Sequence, residues 1–337
     1  MSLAKIYDPV KSDFQEVDHL ISKHLFSQVP LVEKIGQYIV HSGGKRLRPL
    51  LVLLVSNALG AGQAGSAQNT ASSDTSTAGH KARLATIIEF LHTATLLHDD
   101  VVDTSNLRRG RQTANTKWGN APSVLVGDFL YSRAFQLMVE LGSMSVMEIL
   151  SEATNVIAEG EVLQLMNCKN PDVTEAHYMD VIRCKTAMLF QAASHSSAVL
   201  YGATRQNAEA MRDYGLYLGL AFQLVDDVLD YTGNADAMGK NVGDDLAEGK
   251  STLPLIYTID NGSEQEAQLI RNAIRKGGLD DLSTIQSAVM RCGALAYTMG
   301  KARQLSEQAI GKLQNLTESP YKEALIALAD LAVARSN

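Results

Sequence analysis

Two acidic clusters carry the most pointed chemistry in this chain. His98-Asp99-Asp100-Val101-Val102-Asp103 and Val225-Asp226-Asp227-Val228-Leu229-Asp230 repeat one Asp-Asp-x-x-Asp pattern far apart in the sequence. On an α-helix, positions i, i+1 and i+4 fall within about 100° of arc, so each copy sets three carboxylates on one face. Such clusters repel themselves, and a position at a helix C-terminus adds the negative end of the macrodipole. Cations are needed to hold them together. Hard divalent ions take oxygen ligands, and Mg²⁺ bridges one or two carboxylates to substrate phosphates. The pair points to magnesium-dependent chemistry on a phosphorylated substrate.

A solitary Asp-Asp-x-x-Asp would mean little, because solvated helix ends carry such charge runs. Here the motif is repeated, and the stretches leading into it, 85–91 and 214–224, are apolar. That places both clusters on largely buried helices whose acids line a cleft.

The basic residues are concentrated in a few motifs. Gly43-Gly44-Lys45-Arg46-Leu47-Arg48-Pro49 runs a flexible glycine pair into three cations and a helix-opening proline, with Lys45 and Arg48 spaced to meet one anion. Taken alone it fits a solvated basic turn equally well. Leu107-Arg108-Arg109-Gly110 follows the first acidic cluster closely enough for acids to hold metal while arginines grip phosphate oxygens. Gly239-Lys240 and Gly249-Lys250 follow the second, each lysine after a glycine that lets backbone approach a ligand. Lys185-Thr186 lies in a helical stretch beside Met188, Leu189 and Phe190, where a lysine is less free to reach solvent.

The elements that must position these groups are helical. Apolar residues recur with helix period over 8–27, 30–41, 48–59, 82–104, 120–141, 144–166, 174–200, 207–232, 252–260, 264–276, 280–291, 294–314 and 319–334. No strand alternation stands out. The segment 60–81 is Gly, Ala, Ser, Thr and Gln with almost nothing to bury, and reads as a mobile surface loop between helices. The expected architecture is all-α: one domain over 1–337, a single large bundle of about a dozen helices around a central active-site cavity.

Composition narrows the function classes. A net charge of −7 argues against a nucleic-acid partner, which would demand a basic face. No apolar run reaches the roughly 18 residues that span a bilayer, and residues 1–10 lack the apolar core of a signal peptide, so a cytoplasmic location is expected. Cys168, Cys184 and Cys292 lack zinc or Cys-x-x-Cys spacing and are expected to pack as reduced thiols.

Gly-Gly-Lys-x-x-Arg-Pro, Asp-Asp-x-x-Asp with Leu-Arg-Arg-Gly, Lys-Thr, then Phe-Gln-x-x-Asp-Asp-x-x-Asp with a trailing Gly-Lys stand here in the order seen in trans-isoprenyl diphosphate synthases. The resemblance covers nearly the whole chain. The run from Ile88 to His98 is similar to bacterial octaprenyl diphosphate synthases, which make the ubiquinone side-chain precursor. Segment 60–81 is longer than the resemblance would suggest.

The resemblance implies the isoprenoid synthase fold, a homodimer, and Mg²⁺-dependent addition of isopentenyl diphosphate to a farnesyl or geranyl diphosphate primer. It implies that Asp99 and Asp103 hold two magnesium ions and Asp226 a third, that Asp230 reaches metal through water, and that Asp100 and Asp227 support them. Arg108, Lys185 and Lys240 would bind the allylic diphosphate, with Lys250 nearby; Lys45, Arg48, His92 and Arg109 would bind that of isopentenyl diphosphate. Magnesium and cations would neutralise the departing diphosphate. The Gln223 side-chain oxygen and the Thr186 and Lys185 carbonyls would stabilise the allylic cation, and the released diphosphate would take the final proton. Small residues, Ala94 and Thr95, precede Asp99 by about one turn, where a growing chain must pass. This suits a product of about C40 or C45, with Phe135 and Met138 as candidate tunnel floor.

The competing readings are a shorter-chain prenyl synthase, a class I terpene cyclase and a non-catalytic regulatory subunit. A cyclase has no need of an isopentenyl clamp at Lys45, Arg48 and Arg109. A regulatory subunit would be expected to lose acids, and all six are present.

Overall fold

A helix that is apolar on every face can only be a central one, and residues 50–55 of this chain, Leu-Leu-Val-Leu-Leu-Val, are fully buried. They belong to α4 (Leu47–Gln63) in a computed structural model that describes residues 2–63, 74–232 and 242–334. Around α4 stand α5 (Asp74–Val102), α10 (Met188–Leu200) and α17 (Pro320–Ala334). Next to these lie α7 (Asn120–Leu141) against α5, and α11 (Arg205–Thr232) against α10. Helix α8 (Met144–Asn167) packs on α10, and α16 (Ala294–Gly311) on α11.

The remaining helices close the ends. At the N-terminus are α1 (Leu3–Tyr7), α2 (Lys11–His24) and α3 (Pro30–Val40). Short α6 (Ala114–Trp118) precedes α7, and α9 (Glu175–Ile182) precedes α10. A C-terminal group, α12 (Asp244–Ala247), α13 (Leu253–Asn261), α14 (Glu264–Lys276) and α15 (Leu282–Cys292), gathers around Ile270, Ile274, Ile285 and Val289.

Local signals set many of the ends. The Ser143 and Thr174 side chains cap α8 and α9 by accepting from backbone N–H groups, and Ser263 with Glu266 makes a full capping box at α14. Gly142 and Gly293, left-handed, end α7 and α15.

The all-α expectation holds, with three differences of detail. Short helices of four or five residues raise the count beyond a dozen. Among the described residues the single strand pair is Leu107–Arg108 with Arg111–Gln112, whose turn residues Arg109 and Gly110 have φ of 52° and 72°, as a two-residue hairpin loop requires. Segment 60–81 is helical wherever it is described, since α4 runs to Gln63 and α5 begins at Asp74; residues 64–73 lie outside the described residues. A shortage of residues to bury suggests a loop, but Ala and Gln also form helices readily.

The stretch 174–200 is also not one uniform helix. Between α9 and α10 it widens into a π-helical turn, Arg183–Ala187, which carries Lys185 and Thr186. Glycines on two neighbouring helices allow this turn to lie backbone to backbone with them. A Cβ on Gly160 of α8 would stand 2.7 Å from Cys184 Cβ, and one on Gly219 of α11 would stand 2.6 Å from Ala187 Cα. Since the atom met is the Ala187 backbone, which cannot turn aside as a flexible side chain would, Gly219→Ala should destabilise the fold by about 1–3 kcal/mol. Urea unfolding followed by circular dichroism checks this, and an unchanged midpoint would contradict the close packing.

Candidate active site

The acidic clusters end the two longest helices. Asp99 and Asp100 occupy the last turn of α5, and the Asp103 N–H donates to the Asp99 carbonyl at 2.8 Å, so the turn continues one residue further. Asp226, Asp227 and Asp230 lie in the last two turns of α11. Both clusters are therefore at helix C-termini, where the macrodipole opposes them.

Asp99, Asp103, Asp226, Asp227 and Asp245 line one cavity of about 190 Å³, with Lys185, Thr186, Gln223 and Lys250. Asp230 is 2 % exposed and is not among the residues lining this cavity. Asp100 is fully buried, and one of its oxygens accepts from Arg108 Nη2 at 2.7 Å and Nε at 2.8 Å. Here Arg108 neutralises Asp100 rather than projecting into the cavity. Lys240 lies outside the described residues.

Lysines answer the other acids. Lys250 Nζ stands 3.2 Å from Asp103 and also pairs with Glu248. Lys185 Nζ is 2.6 Å from Glu161 and 3.9 Å from Asp99. Burial raises the carboxyl pKa of Asp99 and Glu161, against the lowering effect of Lys185. Lys185 and Lys250 are both held above the usual lysine value, since burial, which lowers them, is outweighed by the surrounding carboxylates.

A buried relay orients Gln223. Its amide nitrogen donates to Asp227 at 2.7 Å, its oxygen accepts from the Thr186 hydroxyl at 2.8 Å, and the Tyr178 hydroxyl donates to the other Asp227 oxygen. Burial, and then Asp245, push the Asp227 carboxyl up to about 8. The glutamine oxygen is thereby turned toward Thr186 on the cavity wall.

The second basic group forms apart from this cavity. Arg48 Nη1 is 3.2 Å from His92 Nε2, and its guanidinium lies 4.3 Å from the Phe190 ring centre. Burial first, then Arg48, hold the His92 pKa well below normal, so the imidazole is neutral and accepts from Arg48. Arg109 lies flat on Gly44, where a Cβ would come within 2.7 Å of its guanidinium carbon. Lys45 is exposed, its carbonyl accepting from the Tyr7 hydroxyl.

Several residues at these sites have no distinguishing mark in the sequence. Glu89, 8 % exposed, sits among Arg46, Arg48 and Arg109, one turn before His92. Glu161 reaches Lys185 from α8, and Tyr178 reaches Asp227 from α9. Asp245 could have been found from its place in the acidic run after Gly243.

Ala94 and Thr95 part company. Between Leu91 and Asp99 the partly exposed residues of α5 are His92, Thr95, Leu96 and His98, whereas Ala94 is fully buried in the core. Positions 92, 95 and 99 share one face, so Thr95 stands on the Asp99 side and Ala94 turns away. On α7, Met138 is buried, and half-buried Phe135 lies 5.4 Å from Tyr131.

The cavity's donor set fits a hard divalent cation. Its charged ligands are carboxylate oxygens, and Asp99 and Asp103 already draw ammonium groups. Among the described residues no three His, Cys, Asp or Glu side chains converge closely enough to hold a metal ion by themselves.

A sequence model of polyprenyl synthetases matches residues 29–290. The chain belongs to the polyprenyl synthetase family. It is 50 % identical over 336 residues to an octaprenyl diphosphate synthase of Escherichia coli K12, covering 99 % of each chain. It is 44 % identical over 330 residues to a geranyl-diphosphate-specific all-trans-nonaprenyl-diphosphate synthase of Rhodobacter capsulatus, covering 98 % of this chain and 97 % of that one. A crystal structure of a Caulobacter crescentus CB15 polyprenyl synthase with calcium and isoprenyl diphosphate superposes with a TM-score of 0.91 at 43 % identity, covering 100 % of this chain and 98 % of that one. These family relations identify the chain as a prenyltransferase with the isoprenoid synthase fold.

The Glu89 carboxyl is pushed by burial to about 7, against the neighbouring arginines. A carboxyl raised on folding contributes stability below its unfolded pKa, near 4.5, and loses that contribution as pH rises through 7. Glu89→Gln should therefore gain on the wild type by on the order of 1–3 kcal/mol between pH 5 and 8. Urea midpoints across that range test the assignment, and parallel curves for the two proteins would refute it.

Proposed function

We propose that the chain is a long-chain trans-polyprenyl diphosphate synthase that adds isopentenyl units to farnesyl or geranyl diphosphate, giving an octaprenyl product of about C40, or C45, for a quinone side chain. The observation that carries this reading is the opposition of two carboxylate clusters across one cavity, with Lys185, Lys250, Thr186 and Gln223 on its walls. The octaprenyl and nonaprenyl relatives support the length.

Asp99, Asp103 and Asp226 would hold Mg²⁺, which when bound neutralises charge on the departing diphosphate. Lys185 and Lys250, held protonated by their carboxylate neighbours, supply further positive charge at that end. Gln223, its amide nitrogen held by Asp227 and its oxygen accepting from Thr186, lines the cavity wall, where the remaining lone pair of that oxygen would stabilise positive charge at the allylic carbon as the C1–O bond breaks. Arg48, propped by His92 and Phe190, holds isopentenyl diphosphate with Arg109, so that its double bond forms the new C–C bond before a proton leaves. This paired arginine cluster favours elongation over cyclisation, and the complete set of acids favours catalysis over a regulatory role.

Leu125 on α7 and Val162, Leu165 and Met166 on α8 expose apolar surface suited to a homodimer. No helix among the described residues is long and apolar enough to cross a membrane, which is compatible with a cytoplasmic enzyme. The chain is read as working as one domain, with the central helices α4, α5 and α10 contributing to one hydrophobic core.

Incubation with farnesyl diphosphate, labelled isopentenyl diphosphate and Mg²⁺ should give a C40–C45 product by chromatography. Asp226→Ala should lower turnover by at least about a hundredfold, because it removes a ligand for the cation that stabilises the leaving group. Near-normal turnover of that variant at saturating Mg²⁺ would remove Asp226 from the metal site.

The split between Ala94 and Thr95 directs a second test. Thr95→Phe should shorten the product to roughly C20 from farnesyl diphosphate, or C15–C20 from geranyl diphosphate, while condensation continues, since the ring enters the space beside Asp99. Ala94→Phe instead should cost about 1–3 kcal/mol of stability by overpacking the core. Product length and thermal melting separate the two, and a full-length product from Thr95→Phe would show that the chain does not pass there.

A further inference from the structure

Helix α8 presents Gly160 and Glu161 to the π-helical turn that carries Lys185. The missing side chain at Gly160 lets the two backbones meet, because a Cβ there would stand 3.0 Å from the Lys185 nitrogen as well as close to Cys184. The next residue reaches across this contact, and Glu161 Oε2 accepts from Lys185 Nζ at 2.6 Å. The same ammonium is 3.9 Å from Asp99 Oδ2. The Glu161, Lys185 and Asp99 side chains are 28 %, 18 % and 16 % exposed, so one cation serves two carboxylates in a partly dehydrated corner. The short, charge-assisted contact goes to Glu161, and Asp99 receives only the longer one.

We propose that Glu161 is a positioning residue that holds the Lys185 ammonium off Asp99, so that the Asp99 oxygens stay open to a divalent cation while Lys185 stays at the cavity wall. The inference rests on the reading of Asp99 as a metal ligand and Lys185 as a diphosphate ligand. Lysine is a point charge on a flexible four-carbon stem, and it moves to the nearest anion left to it. Without the Glu161 charge that anion is Asp99, and an incoming metal must displace the lysine before it binds. Gly160 contributes by setting the depth at which the π-turn seats against α8, which brings Lys185 within reach of a glutamate one residue along.

A double-mutant cycle on metal binding tests this without relying on turnover. Mn²⁺ is titrated into the full-length protein with inorganic diphosphate present, and free Mn²⁺ is read by electron paramagnetic resonance. Glu161→Gln should raise the half-saturating Mn²⁺ concentration about tenfold, on the scale of one charge-assisted hydrogen bond. Glu161→Asp should fall between that variant and the wild type. In a Lys185→Gln background the same Glu161→Gln change should have an effect of less than about twofold, because the competing ammonium is gone. An equal loss in both backgrounds would show that Glu161 acts through its own charge or as a ligand, and would overturn the proposal. So would the absence of loss on Glu161→Gln in the otherwise wild-type protein. The underlying reading is checked separately by the Lys185→Gln KM for the allylic diphosphate: an unchanged KM would remove Lys185 from diphosphate binding yet leave the metal cycle to stand or fall by itself.

Discussion

Mutual repulsion of carboxylates is the constraint around which this molecule is organised. Two long helices, α5 and α11, direct their C-terminal ends and their aspartates toward one cavity, where the helix dipoles and the acids reinforce each other. Such an arrangement is unfavourable in isolation. The fold offsets it locally, with Arg108 on Asp100, Lys250 on Asp103, Lys185 beside Asp99, and hydrogen bonds from Tyr178 and Gln223 on Asp227. Asp99, Asp103 and Asp226 line the cavity, where a divalent cation and a diphosphate together would complete the balance of charge.

The hydrophobic core serves this constraint by fixing the helix ends. Leu50–Val55 of α4 and the buried face of α5 form a core too tightly packed for the helices to slide apart, so the acids cannot relieve their repulsion by separation. The π-turn is the complementary device. By widening one turn it presents Lys185 and Thr186 together, and Gly160 and Gly219 let α8 and α11 hold that turn by its backbone. A π-bulge at a working site is a recurrent use of this geometry.

The arginine cluster follows a different logic. Arg48, Arg109 and Arg46 crowd around Glu89 and neutral His92, with Phe190 beneath Arg48. Like charges are brought together here too, but the compensating group is a single buried glutamate whose raised pKa records the cost of its dehydration. An arriving diphosphate would meet guanidinium groups already oriented by an aromatic face, a histidine acceptor and the bare backbone of Gly44.

Whatever depends on local periodicity is legible in the amino-acid sequence alone. The i, i+1, i+4 spacing of the aspartates and the apolar helix faces are properties of single helices, and they suffice for the helix positions and for two acidic faces, but not for which acids of each motif line the cavity. Whatever depends on which helices meet emerges only from tertiary packing. Glu161 and Glu89 look like ordinary helical glutamates until α8 meets the π-turn and α5 meets the arginines. Asp230 shares the spacing of its motif yet is buried and not among the residues lining the cavity, and Ala94 and Thr95, adjacent in sequence, lie about 100° apart around α5, so one is sealed and the other is not. A helical pattern gives relative angles around one axis, and only the neighbouring helices determine which of those angles faces the cavity.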